Sequence, residues 1–177
     1  SRDIAQKFNK DFNCEGFFPL PEPLIPKNIS RIMSLRDGTK KMSKSEESEY
    51  SRINLKDSAD EIIKKIKKAK SDSEPIPDEM KALEKKPEAL NLLSIYSDIS
   101  KNNLKKVLEE MSGKEYSYLK DKLAELLISE ICPVGKEIKK LMDDKTHILN
   151  ILKKGTEKAR IKAEENLKII REKVGLI

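Results

Sequence analysis

From Ser58 to the C-terminus, apolar residues recur at intervals of three and four, and that spacing admits little besides α-helices packed side by side. Ser58-Ala59-Asp60-Glu61 opens the region as a capping box, in which the serine oxygen takes an orphan N–H and the glutamate reaches back. Ala59, Ile62, Ile63, Ile66 and Ala69 follow on one face, with Lys64, Lys65, Lys67 and Lys68 opposite. Residues 71–87 read as a polar loop punctuated by Pro75, Pro77 and Pro87, with room for one helical turn from Met80 to Leu83. Beyond it Ala89, Leu92, Leu93, Tyr96 and Ile99 form one stripe, and Leu104, Val107, Leu108 and Met111 form another that ends at Gly113. Tyr116, Leu119, Leu123, Leu126, Leu127 and Ile131 predict a helix that stops before Pro133. Val134, Ile138, Leu141 and Met142 resume the pattern, and Ile148, Leu149 and Leu152 follow. Ala159, Ala163, Leu167, Ile170 and Val174 predict a last long helix, with Gly175 in the C-terminal cap position. Read together, the stripes are the core of a helical bundle, and the chain is mainly α.

The first 57 residues follow other rules, so the domain boundary falls near Asp57: residues 1–57 form one part and residues 58–177 the other. Ser1 to about Asn13 reads as the tail of a helix with Ile4, Ala5, Phe8 and Phe12 on one face. Pro19, Pro21, Pro23 and Pro26 then impose an extended crossing, because proline lacks the N–H that helices and central strands need. Arg31-Ile32-Met33-Ser34-Leu35 predicts a short strand, and Ser51 to Leu55 a second extended stretch. Between them lies Lys41-Met42-Ser43-Lys44-Ser45, preceded by Arg36, Asp37, Gly38 and Thr39. This is loop composition. Two ammonium groups three positions apart, flanked by small hydroxyls, suit a polyphosphate: the lysines supply charge, and the hydroxyls and backbone N–H groups supply directed donors.

Composition narrows the function classes. The net charge of +6, spread over a lysine-rich surface, fits a polyanionic partner, nucleic acid above all, and also a plain lysine-rich background. The Lys64, Lys65, Lys67 and Lys68 face fits either a solvated helix surface or a stripe turned toward such a partner. Cys14 and Cys132 stand alone without C-x-x-C spacing, which argues against a zinc site or a disulfide framework and for a reducing, cytoplasmic setting. His147, the single histidine, sits among Ile148, Leu149 and Leu152 and reads as a helix-face residue. No apolar run approaches membrane-spanning length and no secretory signal opens the sequence, so no membrane partner is expected. Ser1-Arg2-Asp3 looks like mid-helix sequence, which suggests a fragment.

The pentapeptide Lys41-Met42-Ser43-Lys44-Ser45 resembles the second signature of class I aminoacyl-tRNA synthetases. Residues 1–9, Arg31 to Leu35, Thr39 to Ser45, Lys67-Lys68-Ala69 with Ser71 to Glu74, Asn91 to Tyr96 and Gly155 to Arg160 all resemble, in register, the C-terminal half of bacterial-type tryptophanyl-tRNA synthetases. The resemblance implies the end of a Rossmann-like nucleotide-binding domain followed by a helical-bundle domain that binds tRNA. It implies ATP-dependent activation of tryptophan to an adenylate and transfer to tRNA(Trp), with Mg2+ accompanying ATP, in a protein that acts as a homodimer. Lys41 and Lys44 would be the catalytic phosphate ligands, and Ile32, Lys41, Met42, Ser43, Lys44 and Ser45 would bind ATP. Met42 would lie against the adenine and Ile32 would offer it a backbone contact; read without the resemblance, Ile32 is a strand core residue. Lys40, Glu46, Glu47 and Glu49 read as solvated charges, and no metal-ligand cluster is visible.

The departures from the family pattern are also informative. The His-x-Gly-His signature and the indole-binding acid are missing, so this polypeptide alone is expected to be inactive in aminoacylation. Ile29-Ser30 replaces a common Gly-Ala pair, and Glu46 the usual Asp. Two other readings compete: a fragment of the tyrosyl type, and a non-catalytic helical RNA-binding module.

Overall fold

Ser58 does cap a helix. In a computed structural model that describes residues 1–24 and 31–177, its side chain accepts from the Glu61 N–H at 3.3 Å while the Glu61 carboxylate accepts from the Ser58 N–H at 2.7 Å. Donation from the Ser58 N–H, and from the Ser58 hydroxyl at 2.8 Å, holds the Glu61 carboxyl below its usual range. The helices in chain order are α1 (Arg2–Asp11), α2 (Ala59–Lys67), α3 (Met80–Leu83), α4 (Pro87–Ile99), α5 (Leu104–Met111), α6 (Tyr116–Asp143) and α7 (Lys145–Lys173). A single 3-10 turn, Glu49–Ser51, stands between the signature loop and α2. The chain is mainly α, as its periodicity predicts.

Two compact units emerge: Ser1–Ile25 with Leu141–Ile177, and Pro26–Lys140. The second holds the hydrophobic core. Ile62 and Ile66 from α2, Leu83 from α3, Leu92 and Leu93 from α4, Val107 and Leu108 from α5, and Leu119 and Leu123 from α6 are fully buried there. Leu35, just before the signature loop, belongs to the same core, and Met42 and Ile53 pack against it. The residue 71–87 loop is pinned through Ile76, whose N–H donates to the Lys114 carbonyl at 3.0 Å and whose carbonyl accepts from Gly113 at 2.9 Å. Lys120 from α6 donates to the Ala69 carbonyl at 2.7 Å and the Ser71 hydroxyl at 2.9 Å, tying off the end of α2; partial burial pushes its ammonium pKa down. In the first unit, Phe8 packs tilted against Phe12 and edge-on against Phe18, at centroid distances of 4.7 and 4.9 Å. Asn9 braces that turn through two bonds to the Phe18 backbone. Pro19, Pro21 and Pro23 lie in irregular chain; Pro26, Ile29 and Ser30 fall outside the described residues.

Five expectations need correction. Arg31 to Leu35 is not a strand: it makes one antiparallel bridge, Met33 to Lys41, because its other edge is met by a side chain rather than by backbone. Pro133 does not stop a helix. Pro133 and Ser129 are both exposed, so the carbonyl that loses its amide partner sits where water can reach it, and α6 runs on for 28 residues. The Ile148 and Ala159 stripes are one continuous helix, α7, of 29 residues. That helix buries no residue: Leu149 is 65% and Leu152 59% exposed, so its apolar stripe is not core. Helical spacing marks a face as apolar without saying what covers it. Finally, Lys65 is not on the solvated face. Its side chain is buried against Asp57, with Nζ to Oδ2 at 2.6 Å.

The Tyr116 hydroxyl is buried and has no hydrogen-bond partner among the described residues; burial also raises its pKa. A buried hydroxyl without a partner contributes nothing to offset its desolvation. Tyr116→Phe is therefore expected to leave the protein at least as stable, by up to about 1 kcal/mol, in a thermal or urea unfolding comparison.

Candidate functional site

The signature loop is a short hairpin-like excursion, held by backbone bonds on its entry arm and by Arg52 on its exit arm. On the entry arm, Met42 donates to the Ile32 carbonyl at 2.9 Å and Ser34 to the Lys40 carbonyl at 2.8 Å. Met33 and Lys41 thus face each other as a non-hydrogen-bonded antiparallel pair. The turn is closed by Asp37, whose Oδ1 accepts from the Thr39 hydroxyl at 2.6 Å and from the Thr39 N–H at 3.0 Å. Those bonds, the hydroxyl first, hold the Asp37 carboxyl below its ordinary range, and Lys40 approaches its other oxygen at 3.5 Å.

On the exit arm, the Ser43 and Ser45 hydroxyls lie 2.9 Å apart and share a hydrogen bond. Arg52, almost fully buried, donates from Nη1 to the Glu46 carbonyl at 2.8 Å and pairs through Nη2 with Glu49. Leu35 donates to the Ser51 carbonyl at 2.8 Å, which joins the two arms behind the loop. Glu49 also stands 3.9 Å from the Lys65 ammonium, so this carboxylate, though solvated at 63% exposure, also joins the network. Asp57 completes the network by accepting from Lys65 and from the Asn54 N–H at 2.8 Å.

Against these arms lies an open groove of about 1060 Å3. Ile32, Lys41, Met42, Ser43 and Lys44 line one part of it; Arg52 to Asp57, Glu61, Asp98 and Ile138 line the rest, with Arg31 at an edge. Five of the six residues singled out as an ATP site thus border one cavity, and Ser45 stands just behind, bonded to Ser43. Lys41 and Lys44 are exposed, and neither pairs with a carboxylate among the described residues. Met42 is half-buried, with its side chain on the core. Ile32 is 45% exposed rather than a core residue, and its carbonyl is already taken by the Met42 N–H.

This arrangement suits an oxyanion-rich ligand: free ammonium groups on a loop whose other polar groups satisfy one another. Among the described residues no group of three or more His, Cys, Asp or Glu side chains is placed to hold a metal ion. No helix among them is long and apolar enough to cross a membrane. The supporting residues Arg52, Asn54, Asp57, Lys65 and Asn91 escaped the sequence reading. Only Asn91 left a visible trace there, as a polar residue on the apolar face that Leu92 and Ile95 flank.

Comparison with known proteins gives a consistent result. The family model for tRNA synthetases class I (W and Y) matches residues 1–130. The tryptophan–tRNA ligase of Caulobacter vibrioides is 47% identical over 175 residues, covering 99% of this chain and 51% of that protein. That of Rickettsia felis is 45% identical over 177 residues, covering 100% of this chain and 53% of that protein. Among solved structures, the tryptophanyl-tRNA synthetase of Mycoplasma pneumoniae superposes with a TM-score of 0.83 at 28% identity, covering 98% of this chain and 51% of its own. The Campylobacter jejuni tryptophanyl-tRNA synthetase complexed with ADP and tryptophan gives 0.66 at 26% identity, covering 98% and 52%. The chain spans about half the length of the curated relatives it matches.

Proposed function

The chain belongs to the tRNA synthetases class I (W and Y), and on that premise we propose that it is the C-terminal half of a tryptophan–tRNA ligase. The observation that carries this reading is the pair of unpaired lysines, Lys41 and Lys44, on a loop bordering a groove, in a chain whose relatives are tryptophan–tRNA ligases at 42–47% identity. In the full-length protein the tryptophan carboxylate attacks the α-phosphorus of ATP, the bond to the β-phosphate oxygen breaks, and pyrophosphate leaves. Negative charge builds on the departing oxygens, and an ammonium placed there stabilises the transition state more than the bound substrates. Lys41 and Lys44 perform that role, Ser43 and Ser45 shape the loop, and Ile32 and Met42 border the nucleotide. Mg2+ enters with ATP as part of the substrate.

The same reading makes residues 1–57 the end of the nucleotide-binding domain and residues 58–177 the tRNA-binding helical domain. Its basic surface holds RNA phosphates with salt-dependent affinity. The full-length protein acts in the cytoplasm, as a homodimer. Pyrophosphate exchange into ATP by the full-length protein tests the proposal. Exchange that depends on tryptophan and not on tyrosine is the expected result. Exchange driven by tyrosine, or none at all, overturns it.

A further inference from the structure

The backbone of Met33 is held on both sides, and its second neighbour is not a strand. Its bridge to Lys41 uses the bonds of Ile32 and Ser34, so the N–H and C=O of Met33 itself point the other way. There the side chain of Asn91, 58 residues further along and buried in α4, takes both. Asn91 Oδ1 accepts from the Met33 N–H at 3.0 Å and Nδ2 donates to the Met33 carbonyl at 2.9 Å. One amide thus does what an adjacent strand would do. The first turn of α4 grips the same segment again at Gly38. A Cβ there would lie 2.5 Å from the Pro87 carbonyl carbon, so the two backbones touch. Glu88, in the same turn, pairs with Lys70 at 2.7 Å, which holds its carboxyl below the usual range.

We propose that Asn91 is a positioning residue for adenylate formation: it fixes the Met33 ribbon from which the signature loop departs, and so sets where Lys41 and Lys44 can reach. The inference rests on the phosphate role proposed above for those lysines. Asn91 borders neither the groove nor the lysines, so it acts through the backbone pair Met33–Lys41. A displacement of about 1 Å in a positioned group is enough to cost up to a hundredfold in rate.

The test is a double-mutant cycle in the full-length protein, read by tryptophan-dependent pyrophosphate exchange. Asn91→Ala is expected to lower kcat about tenfold, with the KM for tryptophan within about twofold of the parent. In a Lys44→Ala background the same substitution is expected to cost clearly less than in the parent, because one of the two groups it positions is gone. A purely structural asparagine would lower the melting temperature and scale every rate alike, and its effect would multiply with that of Lys44→Ala. Either full multiplication or an unchanged kcat per folded molecule overturns the inference. Where Asn91→Ala does not fold, Asn91→Asp has the same shape and keeps the acceptor for the Met33 N–H while losing the donor to its carbonyl; its loss is expected to shrink on Lys44→Ala in the same way, and full persistence of that loss overturns the inference. If Lys44→Ala alone leaves exchange intact, the reading of the loop falls, and the role of Asn91 with it.

Discussion

Lys44→Ala in the full-length protein is expected to slow tryptophanyl-adenylate formation by about a hundredfold or more, with tryptophan affinity unchanged. The size follows from where the charge is needed. A preorganised donor facing charge that develops only in the transition state is worth on the order of 3 kcal/mol, which is roughly two decades in rate. The loop around Lys44 makes the substitution clean. Ser43 and Ser45 bond each other, Thr39 and Lys40 are tied to Asp37, and Arg52 holds the Glu46 carbonyl. None of these bonds involves the Lys44 ammonium, so its removal leaves the loop's own structure in place. Lys44→Arg is expected to recover only part of the rate, because a planar fork does not replace a compact ammonium at a site shaped for one. Single-turnover adenylate formation, with tryptophan binding measured separately, gives the two numbers. A loss that falls equally on binding and on rate assigns Lys44 to ground-state recognition and sinks the transition-state role.

The second large effect concerns stability. Asp57→Ala is expected to destabilise the Pro26–Lys140 unit by about 3–5 kcal/mol, because it leaves a buried ammonium without its main partner. The Asp57 and Lys65 side chains are each only 8% exposed, and their oxygen and nitrogen are 2.6 Å apart. Once Asp57 is gone, Lys65 faces Glu49 at 3.9 Å, a carboxylate that is 63% exposed and already committed to Arg52. The loss extends beyond the pair, since Asp57 also accepts from the Asn54 N–H and side chain beside the groove. Replacing both partners, as Asp57→Ala with Lys65→Met, is expected to restore most of the stability, because an apolar pair carries no stranded charge. Urea unfolding of the single and double variants decides the matter. A double variant no more stable than Asp57→Ala would show that the cost lies in the Asn54 contacts and not in the buried charge.

The pair also shows how far the sequence can be read. Lys64, Lys65, Lys67 and Lys68 look alike in a list, and the helical period of α2 sets them opposite the Ile62 and Ile66 stripe. Lys65 nevertheless lies next to Ile66 on the margin of that stripe, and Asp57, just before the cap, is within its reach. Which lysine at the margin turns inward depends on the carboxylate waiting for it, and no local pattern states that. Glu49 is solvated as expected, and what stayed hidden is its pairing with the buried Arg52.

The loop offers the opposite case. Its identity, its lack of regular structure and the presence of two ammonium groups were legible, because they depend on residues within a few positions of each other. Its supports were not. Asn91 meets Met33 across 58 residues and Arg52 reaches back to Glu46, contacts that exist only after α4 and the exit arm have packed.

The places of α2, α4 and α5, the Ser58 cap, the turn at Met80 and the cap at Gly175 followed from the order of residues alone, since each depends on bonds between neighbours three to five apart. Long-range packing settled the rest. It left the α7 stripe uncovered, buried Lys65 and set an asparagine against the free edge of Met33, while solvent at Pro133 let α6 continue. Local bonds are governed by spacing along the chain, whereas burial and pairing across it depend on which surfaces meet.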